Sequence, residues 1–564
     1  MSFHQHPLGR DRNVMWVNLA VLLLTPYLVS EISAKPSEDV MTGNEFPITG
    51  AEFYRRSQFD AGEIRIFLKH TGKQPMSISE LKVSRYVAGK DEKSAEQCEV
   101  IDYLYSKLSP PILMPGQNGE LLVKLLNTPP DNSVLRCTVC GNMGGTWKTS
   151  IPTQQATLWI PYIGFSEDLS KVYVYVQNST QMPLTIRLLE VAGINASDSC
   201  LSINNNLPPG DKGCLVFKMP VPLTLGEHVH IVVSAESGDQ ELLTHRIVRA
   251  VNKFPLLPET GFPHPKLGLD SDSLFVQTMS CPAHDHGTHE EAARKFLDDY
   301  YRRFSQNPYL LIQMWICRAD RPRAWYKFAA LPDAAVMNPI LLTSSAHESD
   351  TKASEQYHPF LWLATTAKRA TEPNRYFACI PVNPEDGVFL HGSHTPDEIK
   401  FLVYCAIAAG AKGIIYRGTP SSDPLNQDAF VWLNRELQQL KPLLVIAEPV
   451  DWASTADDNY TARSLLCGNE AILVIVFDRR YFSEQQDHRF RTPAFAKSAR
   501  PVKIQVGIPE GFTVSQVNSM YSPLLKELWS CRGSQLDFTA NMVDSVQVYK
   551  VILRRENPHQ VWEK

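Results

Sequence analysis

Long apolar runs are scarce in this 564-residue chain. Residues 14–29 form one, and a membrane-spanning helix needs about 20 apolar residues, so nothing later in the sequence is long enough to cross a bilayer. An excess of one charge sign is also missing, since 55 Lys and Arg stand against 60 Asp and Glu for a net charge of −5. Such a balance provides no electrostatic footprint for nucleic acid. There is no phosphate loop, dinucleotide fingerprint, nucleophile elbow or Ser-His-Asp signature, which argues against kinase, dehydrogenase and esterase chemistry. No cofactor is implied. Cys137-Thr-Val-Cys140 has the first half of a zinc pattern, but no second pair or His-x-His follows nearby.

What the chain does have is the composition of a folded protein, with 43% apolar and 20% charged residues. Forty prolines point to many turns and strand edges. The length exceeds what one core supports, so several domains are expected. Arg10 and Arg12 precede the apolar run, and Ser30, Ser33 and Ala34 follow it. A basic region, an apolar core and small residues are the layout of a secretory signal, here residues 1–34. A retained membrane anchor is the alternative, against which Asn18 and Pro26 interrupt the run. The signal reading makes the protein secreted, periplasmic or cell-surface, with membrane contact only through an uncleaved signal segment. Eleven cysteines suit an exported chain in which some pair. Cys200 and Cys214 flank one loop, Cys467 and Cys531 bracket the last domain, and Cys98 could meet Cys137 or Cys140.

A duplication is written into the first half. Residues 67–83 read FLKHTGKQPMSISELKV and residues 175–191 read YVQNSTQMPLTIRLLEV. Pro75 then matches Pro183, Ile78 matches Ile186, Leu81 matches Leu189 and Val83 matches Val191. Further on, Pro115-Gly116 with Gly119 and Lys124 is matched by Pro209-Gly210 with Gly213 and Lys218. Residues 171–177, KVYVYVQ, alternate as a strand does, and Pro-Gly-x-x-Gly is a turn feeding a strand. Two immunoglobulin-like β-sandwiches are expected, at 47–152 and 153–252.

The proline-rich residues 253–270 read as a linker. Beyond them strands alternate with helices, which implies a parallel sheet. Residues 273–279, 309–316 and 376–381 are strand-like, while 290–304 and 428–440 are amphipathic helices. In TPDEIKFLVYCAIAAGAKGIIYRG, Thr395 and Glu398 form a capping box, Pro396 suits the first turn and Gly410 is a left-handed stop. Strands return from residue 450, giving a C-terminal β-sandwich over 450–557. Asn178-Ser-Thr and Asn459-Tyr-Thr match glycosylation acceptors, which a eukaryotic secretory host would use.

The capped helix, the phrase Ala-Gly-Ala-Lys-Gly-Ile-Ile-Tyr and the helix WLNRELQQLKPLL over residues 395–450 resemble the closing units of glycoside-hydrolase (β/α)8 barrels. The similarity is to family 42 β-galactosidase-like proteins and their uncharacterised secreted relatives. The resemblance implies a glycosidase-like barrel over 271–449 with a sugar-facing rim at its C-terminal face. At about 180 residues the region is short of the roughly 250 typical of that barrel, so a reduced, incomplete one is expected. Retaining glycosidases need two carboxyls about 5–5.5 Å apart, and the strand that ends the motif runs into Arg417, not an acid.

The remaining candidates are residues at apparent strand ends. Asp285, Glu385 and Asp333 are the candidate catalytic carboxylates, with Asp320, Glu348 and Asp386 in similar positions. Tyr416, Arg417, Trp325 and His394 are candidate sugar contacts; Trp315, Tyr326 and Trp362 could stack on a sugar or pack in the core. His284 and His286 alternate on an extended segment and could ligate a metal. The bland reading of that loop is a helix start, with Thr288 as cap and Glu290 and Glu291 in the first turn.

The expected class is multidomain α and β: two immunoglobulin-like β-sandwiches, a reduced TIM-barrel-like (β/α) domain and a C-terminal β-sandwich. The expected function is carbohydrate-directed, with polysaccharide or glycan as partner and weak or no hydrolysis. An active glycoside hydrolase using rim carboxylates and a metal-dependent hydrolase using the His284/His286 loop are the alternatives.

Overall fold

The computed structural model describes residues 48–86, 99–154, 156–195, 200–203, 206–238, 240–258, 269–270, 275–280, 288–316, 322–337, 354–382, 396–418, 424–479, 500–520 and 522–555. Antiparallel strands dominate. The first eight are β1 (Ile48–Tyr54), β2 (Glu63–Lys69), β3 (Ile78–Tyr86), β4 (Glu99–Val100), β5 (Tyr103–Ser109), β6 (Asn118–Leu125), β7 (Val134–Gly141) and β8 (Thr146–Pro152). They form two sheets, in the orders β1-β2-β6-β5 and β4-β3-β7-β8, packed face to face around Ile64, Ile66, Val83, Val123 and Val139.

The second stack repeats this arrangement. It contains β9 (Leu158–Phe165), β10 (Lys171–Asn178), β11 (Leu184–Val191), β12 (Ile194–Asn195), β13 (Cys200–Ile203), β14 (Asn206–Leu207), β15 (Lys212–Lys218), β16 (His228–Ser237) and β17 (Gln240–Arg249). Its sheets run β9-β10-β15-β13 and β12-β11-β16-β17, with β14 beside β11. Strand for strand this is the neighbour order of the first stack. The matched turns are also built alike: Gly116 and Gly210 both hold φ of 79°, a conformation that favours glycine. Gly116 N donates to His70 O at 2.8 Å and Gly210 N to Asn178 O at 2.9 Å. The side chain at this position holds the next turn in both copies. His70 Nε2 lies 2.7 Å from Gln74 O, and Asn178 Nδ2 donates to Met182 O at 2.7 Å. Asn178 is buried and its amide also donates to Leu207 O at 2.9 Å, so this acceptor-like asparagine is occupied by the fold.

Strand geometry decides the Cys137-Thr-Val-Cys140 segment, while Cys98 and the side chain of Cys200 lie outside the described residues. Cys137 and Cys140 are three residues apart on β7, and strand side chains alternate faces. Cys137 therefore points into the core of the first stack while Cys140 is half-buried on the other side. The pair cannot converge on one ion. Cys467 and Cys531 are both free thiols, not a bridge across the last domain.

The α/β part contains β18 (Leu256–Pro258), β19 (Phe275–Ser280), β20 (Leu311–Trp315), β21 (Ala334–Met337), β22 (Arg375–Pro381) and β23 (Ile414–Arg417). Its helices are α1 (His289–Gln306), α2 (Arg323–Phe328), α3 (Ser354–Thr371), α4 (Pro396–Ala408) and α5 (Pro424–Leu444). Thr288 caps α1 with Glu290 and Glu291 in its first turn, as the sequence predicts, and Glu291 closes a capping box. Gly410, at φ 100°, ends α4.

The expected TIM-barrel-like domain is not formed. The six parallel strands make an open sheet in the order β18-β23-β22-β21-β20-β19. Its edges, β18 and β19, are not paired with each other among the described residues. A TIM barrel closes with eight strands; among the described residues six are present, and β18 has only three residues with which to pair. The multidomain α and β class with immunoglobulin-like sandwiches and a reduced barrel is thus replaced by a mostly β chain with one open parallel sheet. β18 lies inside the stretch expected to be a linker. Its Leu256 N donates to Asp270 Oδ2 at 2.8 Å, and Lys441 holds the same carboxylate at 2.6 and 2.8 Å.

Buried side chains of all five helices share one cluster with Ile312, Met314, Ala335, Ala378, Ile380 and Tyr416 of the sheet. The opposite face carries Leu257, Phe275, Leu311, Val336, Phe377 and Ile415. No helix among the described residues is long and apolar enough to cross a membrane.

The last part begins at β24 (Ala447–Val450) and continues through β25 (Ala453–Ser454), β26 (Tyr460–Cys467), β27 (Ala471–Asp478), β28 (Arg500–Gly507), β29 (Phe512–Ser519), β30 (Trp529–Arg532), β31 (Gln535–Met542) and β32 (Val546–Arg555). Two antiparallel sheets result, β24-β26-β27-β32-β29 and β25-β28-β31-β30. Tyrosines from the second stack seat this unit: the Tyr162 hydroxyl donates to Val445 O at 2.6 Å and the Tyr175 hydroxyl to Leu466 O at 2.8 Å.

Candidate functional site

Ligands of open α/β sheets bind outside the carboxyl ends of the strands. At that edge the described strands end in Pro258, Ser280, Trp315, Met337, Pro381 and Arg417. No carboxylate is among these terminal residues. Asp285, Glu385, His394, His284 and His286 lie outside the described residues, as do Asp320, Glu348 and Asp386. Among the described residues no group of three His, Cys, Asp or Glu side chains is arranged to hold a metal ion.

Arg417 ends β23, half-buried. Alternation puts it on the face of Ile415, away from the helices. Trp315 ends β20 on the corresponding face and packs against the Phe275–Ile415 cluster. Its indole Nε1 is buried with no hydrogen-bond partner among the described residues. β21 and β22 lie between the two strands, which at sheet spacing separates Trp315 from Arg417 by roughly 14 Å.

The other described candidates lie elsewhere. Tyr416 faces the helices, where its hydroxyl donates to Asn434 Oδ1 at 2.9 Å and its ring meets Phe430 edge-on at 4.7 Å. Burial pushes that phenol far above its usual range. Trp325 and Tyr326 are buried in α2, inside the helix-side core. Trp362 is 50% exposed on α3. Asp333 directly precedes β21, so it stands at the amino-terminal edge of the sheet. There it accepts from Ile312 N at 2.8 Å and from the Tyr300 hydroxyl at 3.1 Å.

That opposite edge carries a charge cluster which the sequence reading does not nominate. β2 reads EIRIFLK, whose alternation suggests one wet face, yet six of its seven residues are buried. Ile64 and Ile66 fill the first stack, while Glu63 and Arg65 are covered from outside. Arg65 Nε donates to Glu63 Oε1 at 2.8 Å, and its Nη1 also donates to Glu120. Glu120 Oε2 accepts from Ile247 N of the second stack at 2.9 Å. Lys124 Nζ donates to Asp60 Oδ1 at 2.6 Å. Arg56 donates to Glu63 and, at 3.0 Å, to Glu372 O of the α/β part. Burial alone would raise the Glu63 carboxyl, but Arg56, Arg65 and Lys124 outweigh it and hold the group well below the usual range. Glu52 has weaker partners, chiefly Arg246, and burial pushes it up to about 7.

Next to this cluster is a polar cavity of about 30 Å³, bounded by Arg65, Lys107, His228, Arg249, Tyr300 and Asp333 among others. The first stack, the second stack and the α/β part all contribute to its wall. Lys107 Nζ donates to Leu331 O at 2.6 Å, and Arg249 Nη2 donates to Pro308 O and Leu310 O at 2.8 and 3.0 Å. Burial pulls Lys107 down to about 8 and holds His228 well below its ordinary value, helped for His228 by the charges of Arg249 and Lys107. Sequence alone offers one signal of this region, the alternating charges of β2 and β6, which a solvated face would also produce.

No family model and no curated protein matches this chain. Among solved structures, the archaellum periplasmic stator protein FlaG from Sulfolobus acidocaldarius aligns with 20% of this chain and 99% of its own, at 14% identity and a TM-score of 0.15. A bacterial fucosidase aligns with 49% of this chain and 55% of its own, at 8% identity and a TM-score of 0.27. A glycoside hydrolase family 5 protein from Bacteroides vulgatus aligns with 47% and 58%, at 13% identity and a TM-score of 0.27. Low-coverage neighbours thus include glycoside hydrolases, of which this chain spans little more than half the length. Scores of this size do not establish a shared fold.

Proposed function

We propose that this is an exported carbohydrate-recognition protein that holds a glycan at the carboxyl edge of the parallel sheet without efficient hydrolysis. The observation that carries the reading is the indole of Trp315, a flat, half-buried apolar ring at that edge of the sheet. A sugar presents C–H groups to such a ring. Arg417, at the same edge, supplies a planar fork of donors suited to paired oxygens. The described strand ends provide aromatic and cationic groups rather than the carboxyl pair that hydrolysis of a glycosidic bond requires. Export follows from the layout of residues 1–34.

The test is affinity electrophoresis of the purified protein on a polysaccharide panel, with reducing-sugar release assayed in parallel. Retardation without sugar release, weakened about tenfold or more in Trp315→Phe and in Arg417→Ala, is the expected result. Sugar release that disappears in Glu385→Gln would instead make the protein a hydrolase using rim carboxylates. No binding to any member of a broad panel would overturn the carbohydrate reading.

A further inference from the structure

Two of the cations around the junction cavity are poorly compensated. Arg249 is 8% exposed and Lys107 is 4% exposed. Neither has a carboxylate in ion-pair range among the described residues. The two carboxylates of the wall are already engaged, Glu120 by Arg65 and Ile247 N, and Asp333 by Ile312 N and the Tyr300 hydroxyl. Arg249 spends Nη2 on two carbonyls, while its Nε and Nη1 are buried with no partner among the described residues. Lys107 has one carbonyl, and its ammonium lies 4.5 Å from the centre of the Tyr300 ring. Buried donors normally find acceptors, and buried charges normally find counter-charges.

We propose that this cavity is a binding site for a chloride-sized monovalent anion, held by Arg249 Nε and Nη1 with the Lys107 ammonium as second cation. The cavity, at about 30 Å³, exceeds what one ordered water needs and has room for a halide. Glu120 and Asp333 on the same wall act against a multiply charged guest. A water would satisfy the two N–H groups but bring no charge; a halide would satisfy them and supply the counter-charge that Arg249 lacks among the described residues. His228 completes the wall as a neutral ring, which adds no charge of its own to the site. Because the cavity wall is drawn from both stacks and the α/β part, the ion bridges three parts of the chain. The inference is independent of the glycan reading, which concerns the opposite edge of the sheet.

A ligand that binds only the folded state raises stability with its concentration. Thermal melting of the full chain in sodium chloride and in sodium gluconate, at equal ionic strength, tests the site directly. The expected result is a melting temperature that climbs with chloride and not with gluconate, and a chloride dependence that is lost in Arg249→Met. Should Arg249→Met fail to fold, wild-type crystals soaked in sodium bromide give a second reading. Anomalous density for bromide beside Arg249 and Lys107 supports the site. Equal melting in the two salts, or a cavity that holds water alone in the bromide soak, overturns it.

Discussion

Trp159 Nε1 donates to Glu372 Oε2 at 2.9 Å, joining the second stack to the end of α3. The other oxygen of Glu372 faces Lys368 Nζ at 3.4 Å, and Lys368 in turn donates to Pro161 O at 3.0 Å. Arg56 of the first stack binds the main chain of the same residue. One glutamate at the end of a helix is thus a meeting point for three parts of the chain.

Removing this carboxylate leaves Lys368 and the Trp159 N–H inside with one partner fewer. Lys368 keeps Glu448 at 3.4 Å, so Glu372→Ala strips two hydrogen-bond partners without leaving the ammonium uncompensated and is expected to cost about 2–4 kcal/mol. Trp159→Phe, which deletes one hydrogen bond and leaves the carboxylate with its cation, should cost about 1–3 kcal/mol. Urea unfolding of the two variants checks the order.

His230 and His245 stack with ring centres 5.4 Å apart, and Asn118 of the first stack reaches the same pair. Burial lowers His230 to about 4 and His245 to about 3, the latter helped by His230 and Arg246. The unfolded chain titrates such groups near the ordinary value of about 6.5, so it binds the protons first as pH falls. Stability from the pair is therefore full above about 6.5 and is lost through about 4 and below. Glu52, raised to about 7, works in the opposite direction, since its folded form keeps a proton that the unfolded form releases above about 4.5. Two histidines outweigh one glutamate, and unfolding free energy should rise with pH between about 4.5 and 6.5. Glu52→Gln should steepen that rise; a flat profile in the variant would contradict the assignment.

Gly468 sits at φ 58°, where a Cβ would lie 2.3 Å from Tyr173 Cε1. Its N–H also donates to the Tyr175 hydroxyl at 2.8 Å. Gly468→Ala combines left-handed strain with overpacking and should cost about 2–4 kcal/mol, read as a lowered melting temperature.

Burial pushes the Cys137 thiol up to about 12, whereas Cys140 is half-buried on the other face of β7. The thiolate is the reactive species. In the native protein an alkylating reagent should leave Cys137 unmodified, and adding zinc should not change the melting of Cys140→Ser relative to the wild type. Peptide mapping after alkylation gives the first result and calorimetry the second.

The features legible in the sequence are those set by near neighbours. The Thr288–Glu291 capping box needs four residues, and the matching of Pro75-to-Val83 with Pro183-to-Val191 needs two short segments that obey the same turn. What stayed illegible depends on partners distant in the chain. Glu63 and Arg65 alternate with Ile64 and Ile66 as a solvent-facing strand would, and only the arrival of the second stack and α3 makes that face an interior. Leu256 to Pro258 carries no periodicity of its own, because three residues next to a proline become a strand only when β23 lies alongside. The sugar-facing candidates split for a related reason. Tyr416 and Arg417 are adjacent, so they necessarily point to opposite faces, and the sequence does not say which face the helices take.

The position of β18 also sets an order of events. Leu256 pairs with Ile414, about 160 residues later, and contacts of such sequence separation form slowly because a long loop must close first. During synthesis the edge strand and the second stack leave the ribosome together, while the strand they wait for is still to be made. Until residue 417 has emerged, Leu256 and Leu257 lack the partner strand that covers them in the folded chain.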